Sequence, residues 1–390
     1  MPHRSSTKRL VKAARVAAVP YVAAQKTLAK PAKADASALK MIDLSNVGLG
    51  DNLMIWSGLY TLLDNGVPLC AQGCVIHVQP ILADLCSRIF SRFGLVVQRG
   101  APLEQITPIY SPLPPSTFKE WRRTYFGPDW RMNWVEAVDL QKSFPRHGAD
   151  RSFRARMRLF ASERFLYKRN WKDATPTYIG FRVWQPIASR HGIYPTQFLS
   201  QLKQSLQGIR RVVADYVDEI TPVAERADYT GPAAFPAGKS FQTISPQAYK
   251  QIDAALGGEY FTCYVQEDNA WHEDFNTNGV VTTHLKDIKD TFRVIKYSRH
   301  LLTTDSFTSH LAQFLRDDFV LVLSRDMQES IVHPGSNPRI VANHPPCAPC
   351  NYQERYHHDR CVAGYTHCIA FENGAFIDNI ARCFVPDRVA

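Results

Sequence analysis

The sequence predicts an α/β protein built as two halves, each a parallel sheet with helices on its faces. Three observations predict it. Short apolar, β-rich runs alternate with helically spaced runs from Met41 to Gln98, and again from Thr177 to Leu323. The 390 residues, 45% of them apolar, can fill two cores of ordinary size. No run long and apolar enough for a transmembrane helix occurs, and no fixed-period repeat points to a solenoid or propeller.

The first 40 residues stand apart. They hold nine Lys/Arg against one acid, Asp35, so they carry +8 of the total +10 and the other residues only +2. A duplex-binding domain usually has its own basic face, so nucleic acid is not expected as a partner. Lys8–Val19 can form a short amphipathic helix with its basic side towards anionic headgroups, and a solvated, disordered tail is the other reading. A secretory signal is disfavoured: Val16–Ala24 is short, follows Arg15, contains Pro20 and lacks a small-residue exit before Lys26.

In the first half, Met41–Asn46 reads as a buried strand and Val47-Gly48-Leu49-Gly50 as a turn. Asp51–Asp64 has helical spacing of Leu53, Ile55, Trp56, Leu59, Tyr60 and Leu63, with Gly66 as C-cap. Strand Cys74–Val78, helix Ile81–Phe93 and strand Gly94–Gln98 follow. Tyr110–Thr117 is proline-rich loop. Trp121, Tyr125, Trp130 and Trp134, with Arg122, Arg123 and Arg131, either stack a sugar ring or serve as core and lid packing.

The second half is expected to open with strand Thr177–Val183, helix Thr196–Leu206 and strand Ile209–Val217, then a Pro/Gly/Ala loop over 221–240. Helix Pro246–Leu256, strand Tyr260–Val265, helix Phe292–Tyr297, strand His300–Thr304, a helix from Ser309 and strand Phe319–Leu323 complete it. The expected organisation is a tail over 1–40, one domain over 41–170, and a second over 171–390 that contains a Cys-rich segment at 347–368. Ligands of such proteins bind in the crevice at the strand C-terminal ends.

Two motifs sit at such ends. In Gly48-Leu49-Gly50-Asp51-Asn52-Leu53-Met54, the glycines Gly48 and Gly50 let backbone approach a ligand. Asp51, at the helix start, is kept ionised by the dipole and can act as a general base or simply as an N-cap. Leu53 stands where a dinucleotide fingerprint needs its third glycine. In Thr303–Ala312, hydroxyls and free amides at a strand-to-helix turn suit a diphosphate, Asp305 suits sugar hydroxyls, and His310 can donate to a phosphate or sugar oxygen. A capped helix with a partly buried histidine is the plainer alternative.

A third motif is Cys347-x2-Cys350-x10-Cys361-x6-Cys368. Four thiolates opened by a C-x2-C knuckle can hold a structural Zn or Fe; packed free thiols and disulfides are the alternatives. The odd total of nine cysteines does not read as a secreted disulfide scaffold, so a reducing cytoplasm is the expected compartment.

The order and separation of Gly50-Asp51-Asn52-Leu53-Met54, Asp305–Ala312 and Cys347-Ala348-Pro349-Cys350 with Cys361 resemble glycosyltransferase family 9, the ADP-heptose:lipopolysaccharide heptosyltransferase family. The resemblance covers about 41–98 and 245–382. It implies a GT-B fold, two Rossmann-like domains facing a central cleft, with the nucleotide-sugar donor held mainly by the second. It implies inverting sugar transfer to a lipopolysaccharide or other glycan acceptor, with no cofactor required for catalysis. Asp51 would be the general base, and Asp305, Ser306 and His310 would hold donor sugar and diphosphate. The family's Lys or Arg facing the diphosphate would be Lys239 or Arg190, with Lys239 favoured by element order, and Glu267 would meet the ribose. The sequence departs from the family at Phe307, which replaces a glycine. A non-catalytic relative, its donor site filled by Phe307, is the alternative function. By the same resemblance the basic tail suits a cytoplasmic enzyme that touches the inner membrane.

Overall fold

The computed structural model describes residues 39–45, 47–100, 178–238, 242–266, 271–285, 287–323, 327–342 and 374–385. The tail helix, the aromatic segment Trp121–Trp134 and the four cysteines of 347–368 lie outside the described residues.

The first half carries a parallel sheet in the order β1-β2-β3, with β1 Leu39–Asp43, β2 Cys70–Val78 and β3 Val96–Arg99. Helix α1, Leu49–Asp64, follows β1, and α2, Ala83–Phe90, follows β2. Every residue of α1 from Asn52 to Leu62 is buried. A helix apolar on all sides must be enclosed on all sides, and four elements supply the enclosure. The sheet covers one side. Helices α3, Ile179–Arg190, and α4, Pro195–Glu219, cover others, and a short helix of the second half closes the last.

Both α3 and the end of α4 correct the sequence reading. The stretch read as strand Thr177–Val183 is helical from Ile179, with Tyr178 at the N-cap of α3, and Phe181, Trp184, Ile187 and Ala188 recur at helical spacing on its buried side. Ile209–Val217 is not a strand either. It continues α4, whose buried Phe198, Leu202, Leu206, Ile209, Val213 and Val217 form one stripe of helical period. In both segments β-branched composition loses to periodic burial. Two glycines let α1 and α3 cross in contact. A β-carbon on Gly58 would stand 2.1 Å from the Gly180 carbonyl oxygen, and one on Gly180 2.2 Å from that of Met54. The Trp184 indole N–H then donates to the Ile55 carbonyl at 2.9 Å.

The second half runs β4 Ala233–Phe235, α5 Pro246–Ala255, β5 Thr262–Gln266, α6 Trp271–Thr277, β6 Thr282–Leu285 and α7 Ile288–Tyr297. It continues β7 Leu301–Thr304, α8 Phe307–Gln313, β8 Val320–Leu323, α9 Gln328–Ile331, β9 Arg339–Ala342 and α10 Gly374–Phe384. Its six strands are all parallel, in the order β6-β5-β4-β7-β8-β9. That is the doubly wound order, which reverses between β4 and β7. Two parallel-sheet α/β halves of this kind make the GT-B-like architecture the sequence led us to expect. Strand β4, which lies at the reversal, falls inside the segment read as loop. Three residues, Ala-Ala-Phe, carry no alternation that a sequence could display.

One apolar core spans the first sheet, α1 to α4, α7, α8 and one face of the second sheet. A second core lies on that sheet's other face, under α5 and α10. Among the described residues, no helix is long and apolar enough to cross a membrane.

Candidate functional site

The turn between β1 and α1 is shaped by Asn52. Its side-chain amide lies 3.0 Å from the Val47 carbonyl and 3.2 Å from that of Gly48, and the Gln79 amide donates to Val47 as well. These bonds draw the turn's carbonyls back onto the helix. Gly48, at the N-cap, has backbone angles of −54° and 147°. The Asp51 carboxylate folds over it, with Oδ2 only 3.3 Å from where a β-carbon on Gly48 would sit.

Gly50 faces the second half. A β-carbon there would stand 2.5 Å from Cδ2 and 3.2 Å from Nε2 of His310. Thus α1 and α8 meet at their starts, and the glycine is required by the approach of a buried ring rather than by a turn.

The second half brings its loops to the same place. β7 ends at Thr304 and β4 at Phe235, neighbouring strands at the reversal point. Asp305, 3% exposed, follows β7. Its Oδ1 lies 3.7 Å from His310 Nε2, and its Oδ2 accepts from the Gln242 amide at 3.0 Å. Gly238, in the loop after β4, would put a β-carbon 3.3 Å from Ser306 Cβ and 3.1 Å from Gln242 Cβ. Ser306 N-caps α8: its N–H donates to Ser309 Oγ at 3.3 Å, and Ser309 Oγ–H returns to the Ser306 carbonyl at 2.8 Å.

Behind α8, Gln313 accepts from the His333 N–H at 2.6 Å and donates to the Ser309 and Ile331 carbonyls at 3.2 and 3.3 Å. His333 is buried against Tyr178 and Phe314, and burial pushes its imidazole down to about 3. It is therefore a neutral packing histidine.

The fold is similar to several solved structures. They include Escherichia coli ADP-heptose lps heptosyltransferase II, with 14% identity over 78% of this chain and 90% of that one, and a TM-score of 0.40. Escherichia coli heptosyltransferase WaaC with ADP has 12% identity over 79% and 94%, TM-score 0.41. A family 9 glycosyl transferase from Veillonella parvula has 9% identity over 80% and 88%, TM-score 0.38. The likeness is one of fold. Neither a family model nor a curated protein matches the sequence.

Of the residues expected at the site, Gly48 is the N-cap of α1, Gly50 and Asp51 lie in its first turn, so that Gly50 is helical rather than part of the preceding turn, and His310 from the other half closes on Gly50 beside Asp305 and Ser306. Arg190 stands exposed in the last turn of α3. Lys239 and Glu267 lie outside the described residues, as do Cys347, Cys350, Cys361 and Cys368. Lys239 nonetheless follows Gly238 directly, and Gly238 abuts Ser306. Among the described residues, no three His, Cys, Asp or Glu side chains are grouped to hold a metal ion. Phe307, the departure from the family motif, is half-buried, with its ring 6.4 Å from Phe292 of α7 and packed on the core.

Sequence reasoning missed Gln242 and the turn-shaping work of Asn52. Gln242 had no motif around it. Asn52 did stand inside one, and its position four residues after Gly48, in reach of that residue's carbonyl, was a signal that could have been read.

Proposed function

We propose that this protein is a glycosyltransferase that moves a sugar, heptose or a related one, from a nucleoside-diphosphate donor to a hydroxyl of a lipopolysaccharide or other surface glycan. The observation that carries this reading is the meeting of the Gly50-Asp51 turn with Asp305, Ser306 and His310 at the reversal point of a doubly wound sheet, where such folds bind nucleotides. The similarity of the motifs to family 9 supplies the reaction class.

In this reading Asp51 takes the proton of the acceptor hydroxyl as its oxygen bonds to the anomeric carbon. The bond from that carbon to the diphosphate breaks, the configuration inverts, and the nucleoside diphosphate leaves with the electron pair. Asp305 and His310 hold the donor sugar and phosphates, with Ser306 and the Gly238 loop beside them. Lys239, with Arg190 as the alternative, meets the charge of the leaving diphosphate. The placement of Phe307 against Phe292 supports catalysis over a blocked, non-catalytic relative, because the ring is engaged with the core. The four cysteines of 347–368 form a structural Zn or Fe site in this proposal, with no catalytic part. The basic tail brings a cytoplasmic enzyme to the inner membrane, where a lipid-linked acceptor lies.

The test is nucleotide release from a panel of nucleotide sugars, ADP-heptose included, with wild-type and Asp51→Ala proteins and a crude lipopolysaccharide acceptor. Acceptor-dependent release that vanishes in the variant is the expected result. Full activity in Asp51→Ala removes the base assignment. No release and no calorimetric binding of any donor removes the enzyme.

A further inference from the structure

We infer that Asp43 and His77 form a hydroxyl-binding subsite for the acceptor glycan; the inference rests on the glycosyltransferase reading and adds to it where the acceptor is held. Asp43 ends β1, and His77 is its register partner on β2, at the C-terminal end of the first sheet. Register partners on parallel neighbours share a face and stand about 5 Å apart. The other face, with Ile42, Ile76, Val78 and Val97, belongs to the core. On the face of Asp43 and His77, Met41 and His77 are buried, Asp43 and Val75 are half-buried and Val96 is exposed, and none of them joins the two apolar clusters of the described residues.

The orientation of His77 fixes its chemistry. Its ring is 6% exposed, and Nδ1 lies 3.1 Å from the Gly100 carbonyl oxygen. A carbonyl only accepts, so Nδ1 carries the hydrogen, and in the neutral ring Nε2 is the nitrogen with the lone pair. Gly100 is itself held: its φ is +81°, and its N–H donates to the Val78 carbonyl at 2.7 Å. On Asp43, Oδ1 receives the Ser45 N–H at 3.0 Å and the Ser45 hydroxyl at 2.7 Å. Among the described residues, Asp43 Oδ2 and His77 Nε2 have no partner.

Two acceptors with no donor between them among the described residues suit a ligand that offers hydroxyl hydrogens. They disfavour a phosphate, and two groups alone do not complete a metal's shell. Ser45 leads into the turn that ends at Gly48, over which the Asp51 carboxylate folds. A polyol seated on Asp43 and His77 therefore lies on the same strand-to-helix connection as the base, at the sheet edge where such folds bind ligands. The pair is a binding element, and Asp51 remains the base.

The experiment uses the full chain, a soluble deacylated lipopolysaccharide oligosaccharide as probe, and ADP as a separate probe of the donor site. Ring-nitrogen NMR of the wild type follows His77 Nε2 during titration with the oligosaccharide. Calorimetry compares wild type, His77→Phe and Asp43→Asn. The expected result is a shifted Nε2 resonance and about tenfold weaker oligosaccharide binding in each variant, the scale of one lost hydrogen bond, with ADP binding unchanged. ADP binding together with an Nε2 resonance that the oligosaccharide leaves unmoved overturns the subsite and spares the proposed function. The NMR arm needs no variant, so a variant that fails to fold does not rescue the inference. Failure of every protein to bind ADP or oligosaccharide overturns both.

Discussion

Gly50 and His310 are in van der Waals contact across the two halves of the molecule, close enough that a β-carbon on Gly50 would lie 2.5 Å from the imidazole Cδ2. The buried ring has no room to retreat, because His310 is only 6% exposed. Gly50→Ala would ordinarily gain up to about 1 kcal/mol from helix propensity. Here overpacking costs about 1–3 kcal/mol and wins. The expected outcome is a lower urea midpoint with an unchanged slope, together with loss of donor binding. A midpoint at or above that of the wild type would show that α8 shifts freely and that the contact does not position the site.

Gln242 and Asp305 make the second test. Gln242→Ala leaves Asp305 Oδ2 without the amide that now donates to it at 3.0 Å. Donor affinity should fall about tenfold, the scale of one charge-assisted hydrogen bond. Gln242→Glu should be worse than Ala, because a second carboxylate would face Asp305 at hydrogen-bond distance. Calorimetry with a nucleoside diphosphate reads both, and equal affinities for the two variants would remove the charge argument.

Acid stability should carry the mark of His333. Its imidazole is held down to about 3 by burial, with Arg210 nearby adding to the effect. The unfolded chain titrates this histidine near its ordinary value of about 6.5. Below that value the unfolded state binds a proton that the native state refuses, so stability falls as the pH falls. The slope from this group approaches about 1.4 kcal/mol per pH unit and persists until the native imidazole titrates. Urea midpoints between pH 7 and 4.5 should therefore drop more steeply for the wild type than for His333→Gln. Parallel curves would refute the assignment.

Arg210 ties α4 to the end of α8. Its Nε–H donates to the Gln313 carbonyl at 2.9 Å and one terminal nitrogen to the Arg316 carbonyl at 3.2 Å, while the fork grips Asp317. Arg210→Lys keeps the charge and loses the fork, so it should cost about 1–2 kcal/mol, mostly from carbonyls left without donors. Asp317, whose carboxyl this guanidinium holds below the ordinary range, is 45% exposed, so the ion pair itself adds little. Asp317→Asn should then be milder than Arg210→Lys in the same unfolding assay.

Gly58→Ala should be the most damaging of the small substitutions. The added carbon would meet the Gly180 carbonyl oxygen at 2.1 Å, and backbone cannot swing aside as a side-chain tip can. A loss greater than that of Gly50→Ala is expected, read as midpoint and as near-ultraviolet circular dichroism of the buried Trp184. A smaller loss would mean that α1 and α3 separate cheaply.

The alternation of strand and helix, the glycine turn before α1 and the Asp305–Ala312 turn were all legible in the chain, because each rests on local chemistry. Strand period, a glycine at a strand end and hydroxyls at a helix start are properties of a few neighbouring residues. Where local signals conflicted, the sequence misled. Thr177–Val183 and Ile209–Val217 are rich in β-formers, yet they pay for their helical form by burying one continuous stripe against α1 and α2. β4 was invisible because three central residues buried on both faces carry no periodic pattern.

What the sequence by itself determined, then, is the α/β class, the two halves and the two strand-to-helix motifs, at Gly48–Met54 and Thr303–Ala312, that the fold brings together. Only the tertiary structure decided that Gly50 meets His310, that Gln242 reaches Asp305, and that Asp43 stands beside His77. These pairs are separated by 34 to 260 positions, and strand register and helix crossing set their distances. No local propensity encodes such distances, because they follow from how buried faces match once the elements have formed.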